Sequence, residues 1–494
     1  MDQASIDNFR NSPIPAQGHF INGHYVSAEN NARSNVISPI NGAVLTQIAD
    51  GSPADMQCAI ASARTAFDDG RWSRMPPVQR KKIMLKLADL IEQRAVEITV
   101  LGVRDNGTEF GMALKGEALS AANTFRYYAE SIDKVYGEIA PTPDNFLGLI
   151  HRTPVGVVGA IVPWNFPLMI GAWKIAPALA TGNSVVLKPP ESASLSLLKI
   201  AELAVEAGLP DGVLNVVTGK GSVVGETLAL SMEVDVLVFT GSGETGRRLL
   251  AYASQSNMKR CYLELGGKSP NVVFADAPDL SNAAKVSAAG IFRNSGQVCV
   301  AGSRLLVQDS IHSEFVAELS QHASEYRVGD PLDLQSQIGA VHSLGELESN
   351  LDFVKTAEDQ GAVCVTGGER ILSETGGYYM QPTVVSEVKP EHTLFQNEVF
   401  GPVLAVTAFK DEAEAVALAN DSIYGLAAGV WTSDLSCAHR MIASIQAGVV
   451  HVNTYGGADT TVPLGGVKQS GNGHDKSLHA LDKFTNLKTA WIKL

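Results

Sequence analysis

From about residue 155 the chain becomes a series of short β-branched runs, at 157–162, 185–187, 213–217 and 236–240, separated by stretches of helical character. This alternation is the strongest constraint on the fold, because it indicates right-handed βαβ units and a mostly parallel sheet. Residues 192–207 read as the helix between the second and third runs, with serine available at its start and Gly208 just past its end. The turn Gly208-Leu209-Pro210-Asp211-Gly212 follows. A second strand and helix alternation spans about 271–452, which predicts two α/β lobes that meet near 264–270. Upstream, Ile83, Leu87, Leu90 and Ile91 recur with charges between them across 78–99, the spacing of one face of a surface helix. The first twenty residues read as a loose arm. Residues 138–155 and 483–494 read as extended, alternating stretches outside both lobes, of the kind that crosses to another subunit.

Size and charge narrow the function classes. A chain of 494 residues with 45% hydrophobic content has the length of roughly three ordinary domains and enough apolar surface for large cores. The net charge of −14 leaves no basic footprint for nucleic acid and no polybasic face for anionic lipid. Met1-Asp2-Gln3-Ala4-Ser5 lacks a basic start followed by an apolar core, and apolar stretches such as 155–162 fall short of the ~18 residues a span needs. The five cysteines, Cys58, Cys261, Cys299, Cys364 and Cys437, show no CxxC or zinc-ligand spacing. These features predict a soluble protein of a reducing cytosol, without disulfides or structural metal.

Two residues stand out as a reactive pair. Cys299, in Gly296-Gln297-Val298-Cys299-Val300-Ala301-Gly302-Ser303-Arg304, is a candidate thiol nucleophile, and Glu264, opening Glu264-Leu265-Gly266-Gly267-Lys268-Ser269-Pro270, a candidate general base. A thiol with an ordinary pKa of ~8.5 needs such a base or a favourable electrostatic site to become a strong nucleophile. Taken alone the pair reads as an ordinary buried cysteine and a strand-edge charge, and it is the neighbouring segments that reverse this reading. Pro163-Trp164-Asn165-Phe166-Pro167-Leu168 follows an apolar strand, and its two prolines fix the backbone around an Asn165 amide able to donate to an oxyanion. Lys188-Pro189-Pro190-Glu191 lies at the carboxyl end of a strand, where open α/β sheets bind nucleotides. A carboxylate there suits a ribose 2′-hydroxyl and repels a 2′-phosphate, so Glu191 favours NAD over NADP. Phe239-Thr240-Gly241-Ser242-Gly243-Glu244-Thr245-Gly246 follows a strand and opens a helix, so its N–H groups and Ser242 can meet a pyrophosphate. Its match to GxGxxG misleads: this strand is the fourth of its series, and Glu264, about where a ribose carboxylate would be sought, is better used as the base. Glu398-Val399-Phe400-Gly401-Pro402-Val403 offers an acid and an aromatic for the nicotinamide ribose and its ring.

In order and spacing, these segments resemble the aldehyde dehydrogenase superfamily across nearly the whole chain. The resemblance implies an α/β fold with a Rossmann-like NAD-binding lobe (1–137 and 156–266), an α/β catalytic lobe (267–470) and a small strand-type oligomerisation arm (138–155 and 471–494). It implies Cys299 as nucleophile, Glu264 as general base, and Asn165 with the Cys299 backbone N–H as oxyanion hole. Trp164, Lys188, Glu191, Gly221, Gly225, Gly241, Ser242, Gly246, Leu265, Glu398 and Phe400 match cofactor-contacting positions. Lys174 matches a member of a proton path that ends, in the family, on Glu of Gly-Arg-Glu, where this chain has Asp475 in Gly473-His474-Asp475. The implied reaction is oxidation of an aldehyde by NAD to the acid, through a Cys299 thiohemiacetal and a thioester that Glu264-activated water hydrolyses. A homo-oligomer, dimer or tetramer, is implied with it. Acyl transfer to coenzyme A is the enzymatic alternative, which needs no water-activating base, and a non-catalytic protein on the same fold is the other.

Within the superfamily, Ile132-Asp133-Lys134-Val135-Tyr136-Gly137-Glu138, residues 208–219, Ser256-Asn257-Met258-Lys259-Arg260 and residues 468–481 resemble the γ-glutamyl-γ-aminobutyraldehyde dehydrogenase type of putrescine catabolism. Such enzymes act on ω-amino- or ω-acylamino-aldehydes. Ser120, Phe166, Met169, Trp173, Arg293, Val298, Val300, Gly456, Ala458 and Leu464 match the substrate funnel, and several are small, which implies a wide mouth. Arg293 is the unusual member: it faces solvent, pairs with a surface acid, or attracts the remote carboxylate of a semialdehyde or γ-glutamyl substrate.

Overall fold

The computed structural model describes residues 2–457 and 459–494. Two seven-stranded sheets carry the alternation seen in the sequence. In the first, Val157–Ile161 is central, with Ser184–Lys188 and Leu214–Val216 on one side and Val236–Thr240 and Arg260–Glu264 on the other, all parallel. The antiparallel hairpin His19–Ile21 and His24–Val26 covers the edge at Leu214–Val216. Strand order therefore reverses beside Val157–Ile161, and such a reversal opens a crevice at the carboxyl ends of the flanking strands. The Pro163-Trp164-Asn165 and Gly241-Ser242 segments leave from those two ends. Every residue of Val157–Ile161, Ser184–Lys188 and Val236–Thr240 is buried, which explains why these runs read as continuously apolar rather than alternating.

The second sheet runs in the order Val363–Thr366, Thr383–Ser386, Val403–Phe409, Arg304–Gln308, Pro270–Val273, Ala427–Trp431 and Val449–Val452, antiparallel only at its Val363–Thr366 edge. Residues 265–269 pass from the last strand of the first sheet to the first-formed strand of the second. A third sheet joins Glu138–Ala140, Phe146–Pro154 and Thr485–Lys493, with Phe146 stacked on Trp491 at 5.4 Å.

Three local expectations are corrected. The N-terminal residues are not a loose arm: Gln3–Arg10 is a helix capped by Asp2, with Ile6 packed beside Val100, Val103, Phe110 and Leu332, and Arg10 paired with Asp330. Short helices are marginal alone and form here because tertiary contacts bury one face. The helix expected at 78–99 is two, Pro77–Gln93 and Ala95–Asn106, broken at Arg94, and its deepest residues are Met84, Leu87, Ala88 and Ile91. The third helix begins at Leu195, and no serine side chain caps it; the Leu195 N–H donates instead to Asp105 Oδ2 at 3.0 Å.

Arg304 anchors the second sheet to its helical layer. It is fully buried, stacks over Phe395 at 4.8 Å, and donates from Nε to the Lys268 carbonyl. Its two terminal nitrogens donate to the carbonyls of Leu418, Ala419 and Asp421, at the end of helix Glu412–Asn420. A planar donor fork is thereby set against the unpaired carbonyls of a helix C-terminus. Arg304→Met strands those oxygens in the interior and should cost about 3 kcal/mol, read as a lower midpoint in a denaturant titration.

Candidate active site

Cys299 is delivered by a turn rather than by a regular element. After helix Leu280–Phe292, Asn294, Ser295 and Gly296 adopt successive positive φ angles of 49°, 53° and 74°. For Asn and Ser this left-handed backbone is costly and persists only where surroundings fix it. Asn294 Oδ1 accepts from Thr108 Oγ1 at 2.7 Å, and its backbone N–H donates to Glu109 Oε1 at 3.2 Å. Gln297 Nε2 closes the turn onto the Asn294 carbonyl, while Gln297 Oε1 accepts from the His342 N–H. Gly296 is obligatory, since a Cβ there would lie 1.9 Å from the Gly401 carbonyl oxygen. Asn165 docks on this turn: its Nδ2 donates to the Gln297 carbonyl at 2.9 Å, and its own carbonyl accepts from Asn294 Nδ2 at 3.2 Å. An amide nitrogen has two hydrogens, so one remains for an oxyanion.

The inter-sheet linker brings the other groups to Cys299. Gly267 lies so close to the nucleophile that a Cβ would fall 2.5 Å from the Cys299 carbonyl oxygen, and its N–H donates to Glu398 Oε1 at 2.9 Å. Just before it, Glu264 ends the edge strand in a buried position with Oε1 lacking any hydrogen-bond partner. Residues 470–473 clamp this strand end: Leu265 N–H donates to the Ser470 carbonyl, Leu263 N–H to Asn472 Oδ1, and Gly473 N–H to the Leu263 carbonyl. A Cβ on Gly473 would lie 3.5 Å from Glu264 Oε1, so the carboxyl faces this glycine. Asp475, although one methylene shorter than the family's Glu, reaches Lys174 Nζ at 2.5 Å, with both side chains buried.

Burial dominates the electrostatics. The Cys299 thiol is pushed up to about 12 by burial and then by the charges of Glu398 and Glu264, against smaller help from the Val300 N–H and Arg293. Glu264 is raised well above the usual carboxylate range by burial and by Asp475, with Lys174 and Lys483 opposing. Glu398 is pushed up to about 7 by burial, opposed by the Gly267 N–H and Lys268. Burial thus favours the protonated, uncharged form of both the candidate nucleophile and the candidate base.

The residues expected to hold a dinucleotide form a continuous track. Lys188 Nζ, buried at its strand end, lies 3.8 Å from Glu191 Oε1, which accepts from the Gly221 N–H at 2.7 Å. A cleft of about 310 Å³ opens beside Glu191, lined also by Ser192, Gly219, Lys220 and His342. At Gly221 and Gly225 an added Cβ would meet no atom nearer than 3.9 Å, so the backbone there is bare to an approaching group. Ser242 caps helix Gly243–Gln255, and the Gly241 N–H donates to the Glu264 carbonyl, tying this loop to the base. Gly246 packs against Leu265, where a Cβ would fall 2.9 Å from the leucine. Trp164 stacks on His342 at 4.1 Å and meets Phe400, itself at φ 59°, edge-on at 5.4 Å. Glu191, Ser242 and Glu398 are therefore the candidates for an adenosine ribose, a diphosphate and a nicotinamide ribose.

Residues 25–490 match the model of the aldehyde dehydrogenase family. This chain belongs to that family. The NADP/NAD-dependent aldehyde dehydrogenase PuuC of Escherichia coli (strain K12) is 50% identical over 475 residues, covering 96% of this chain and 95% of that protein. Among solved structures, an indole-3-acetaldehyde dehydrogenase complexed with NAD+ superposes with a TM-score of 0.98 at 48% identity over 100% of both chains. The γ-glutamyl-γ-aminobutyraldehyde dehydrogenase of Burkholderia cenocepacia J2315 does so with 0.98 at 46% identity, again over 100% of both. The family resemblance read from the motifs and the fold it implied are thus both established, and the two likenesses at the level of type agree with the segments that suggested it.

The residues that match the substrate funnel are spread over several segments. Phe166, Met169 and Trp173 share helix Pro167–Ala180 and the residue before it, and the Met169 N–H donates to the buried Glu117 carboxylate. Val298 and Val300 flank Cys299. Leu464 exchanges both backbone hydrogen bonds with Asp475, and Gly456, at φ 82°, packs under the Arg293 guanidinium. Ala458 lies outside the described residues. Ser120 begins helix Ser120–Ser131. Sequence reading missed Thr108, Glu109, Asn294 and Gln297, which shape the nucleophile turn, and His342, which backs Trp164. They carry no motif of their own and act through long-range contacts. Lys483, which donates to Asp475 Oδ1 at 2.6 Å, was missed for the same reason.

With the thiol held protonated, alkylation of Cys299 by iodoacetamide, followed by peptide mass spectrometry without added cofactor, should be slow at pH 7. It should accelerate more than about ten-fold by pH 9, as the thiolate fraction grows. A rate independent of pH over that range contradicts the electrostatic picture.

Proposed function

We propose that this chain catalyses NAD-dependent oxidation of an aldehyde to its carboxylic acid through a thioester on Cys299. The observation that carries the reading is the convergence of Cys299, Asn165 and Glu264 on one buried turn and linker, beside the track that fits a dinucleotide. Cys299 gives up its proton to bulk water by way of the Glu264 carboxylate, and the thiolate Sγ adds to the aldehyde carbon. The resulting oxyanion is held by the remaining Asn165 N–H and the Cys299 backbone N–H, where loss of one donor typically costs ~3 kcal/mol. When bound, NAD accepts hydride from the tetrahedral carbon, leaving the thioester. Glu264 then takes a proton from water as the water oxygen attacks the thioester carbonyl, and the C–S bond breaks to return the thiol and release the acid. Retention of Glu264 in this position favours hydrolysis over transfer to coenzyme A, and the complete constellation disfavours a non-catalytic role.

Reduced nicotinamide absorbance on mixing purified protein with NAD and an aldehyde panel tests this. Cys299→Ala should show none, whereas Glu264→Gln should show a burst of about one NADH per subunit and little turnover, because acylation precedes the hydrolysis that cannot proceed without the base. Full turnover in Cys299→Ala overturns the reading.

The aldehyde is best sought among ω-amino-, γ-glutamylamino- and carboxylated semialdehydes. The likeness to PuuC and to the γ-glutamyl-γ-aminobutyraldehyde dehydrogenase supports this class, as does Arg293, whose Nε is buried without a partner and whose guanidinium flanks the funnel at Gly456. A half-buried cation with a buried, unsatisfied Nε donor suits a remote carboxylate. Arg293→Ala should lower kcat/KM for carboxylated aldehydes about ten-fold or more relative to neutral ones; an unchanged ratio removes Arg293 from recognition. Glu191 supports NAD as the principal cofactor, and the PuuC relative's name allows that NADP is used as well. The arm exposes Ile139, Leu487, Trp491 and Ile492, which supports assembly into a dimer or tetramer through that sheet. The division into lobes at 1–137 with 156–266, 267–470, and an arm of 138–155 with 471–494 goes with this reading. A cytosolic site suits five free cysteines. Among the described residues no helix is long and apolar enough to cross a membrane.

A further inference from the structure

Asp475 is held from both sides. Lys174 Nζ meets its Oδ2 at 2.5 Å and Lys483 Nζ its Oδ1 at 2.6 Å, and all three side chains are at most 5% exposed. Lys174 comes from helix Pro167–Ala180 and Lys483 from the 3-10 turn Leu478–Phe484, so two unrelated elements each send one ammonium to one carboxylate. Glu264 is the fourth ionisable group, buried, with Oε1 unpartnered and facing Gly473, two residues from Asp475. Lys174 and Lys483 with Asp475 and Glu264 make two cations and two anions here, and the equally buried Lys476 lies beside them with Asp459 as its stronger carboxylate neighbour. Groups buried together titrate as a unit, and a net charge there is far more costly than a neutral set.

Lys174 and Asp475 alone would already balance each other, so that ionising Glu264 beside them would leave one uncompensated negative charge. Lys483 supplies the missing positive one. From this geometry, and resting on the function proposed above, we propose that Lys483 is a positioning residue for the general base: it completes an electrically neutral cluster of four buried groups and so lets Glu264 exist as a carboxylate when water must be activated. It touches neither substrate nor cofactor.

Other charged and polar groups face the cluster. Tyr128 lies toward Asp475, its hydroxyl donating to the Ser477 carbonyl at 3.0 Å, and burial with Asp475 nearby raises its pKa beyond its ordinary value. Lys476, stacked over Trp173 at 5.8 Å, is lowered by burial, with Asp459 and Asp475 opposing. Cys299 feels Glu264 from the other side. Lys483 also borders a surface cleft of about 410 Å³ shared with Tyr262, His474, His479 and Asp482, and Asp482 is paired with Arg152 at 2.6 Å. Of these groups, only Lys174 and Lys483 contact Asp475 through an ammonium, and both offset Glu264's burial in the direction required.

The sign of the effect follows from counting charges. Lys483→Met leaves the cluster one negative charge in excess with Glu264 ionised, so its carboxylate should form only at higher pH. Asp475→Asn leaves one positive charge in excess and should let it form at lower pH. The double variant is neutral again and should return toward wild type, as should Lys483→Arg.

Two measurements on the full-length protein read this. The first is an infrared titration of the protonated-carboxyl C=O band that Glu264→Gln removes, which requires no turnover. The second is the pH dependence of kcat for hydrolysis, with KM for aldehyde and burst amplitude as controls. A rise of about one pH unit or more in the acid limb for Lys483→Met, a fall for Asp475→Asn and near cancellation in the double variant support the proposal. Titrations that superimpose in all variants overturn it, and if Lys483→Met does not fold, an unshifted Asp475→Asn does so by itself. An inactive wild type whose infrared titrations still shift in this order would defeat the proposed function and leave the charge cluster standing.

Discussion

The left-handed turn at Asn294, Ser295 and Gly296 is the constraint on which the site depends. Three consecutive residues have positive φ, and Ser295 in particular disfavours this backbone, at a cost of about 1–2 kcal/mol. The turn survives because Thr108, Glu109, Asn165 and His342, from three separate segments, hydrogen-bond to it or to Gln297. The same contacts place Asn165 where an oxyanion would form. Strain at the nucleophile and preorganisation of the oxyanion hole are thus a single feature.

Burial then sets the resting state. The surroundings of the half-buried Cys299 and the buried Glu264 raise both groups' affinity for protons, which keeps the reactive thiolate scarce in the free site. Exclusion of water also strengthens every dipole aimed at a developing charge. The linker 265–269 reconciles these demands, because its glycines let Glu398 and the Cys299 backbone approach more closely than any side chain would permit.

How much was legible depended on whether the information was local. Parallel strands buried on both faces leave unbroken apolar runs, so the first sheet was readable almost to the residue at Val236–Thr240. Chemistry-bearing segments were readable because Cys299, Glu264, Asn165 and Glu191 each sit in a short, unusual context. The N-terminal helix was not, since Gln3–Arg10 is polar in composition and owes its existence to Ile6 meeting residues about a hundred and more than three hundred positions away. The cap at Leu195 was misassigned to serine for the same reason: the accepting carboxylate, Asp105, is ninety residues upstream.

The sequence by itself determined the fold class and the family, and it singled out Cys299, Glu264 and Asn165 as candidate nucleophile, base and oxyanion donor, because strand periodicity and short motifs lie within a few residues of one another. Only the tertiary structure decided which groups carry charge and which backbone is strained. Lys174 beside Asp475, the unpartnered Arg293 Nε beside Gly456, and the turn beneath Asn165 all arise where segments distant in the chain pack together. There the energy of a proton or a torsion is set by neighbours in space, which one-dimensional order does not specify.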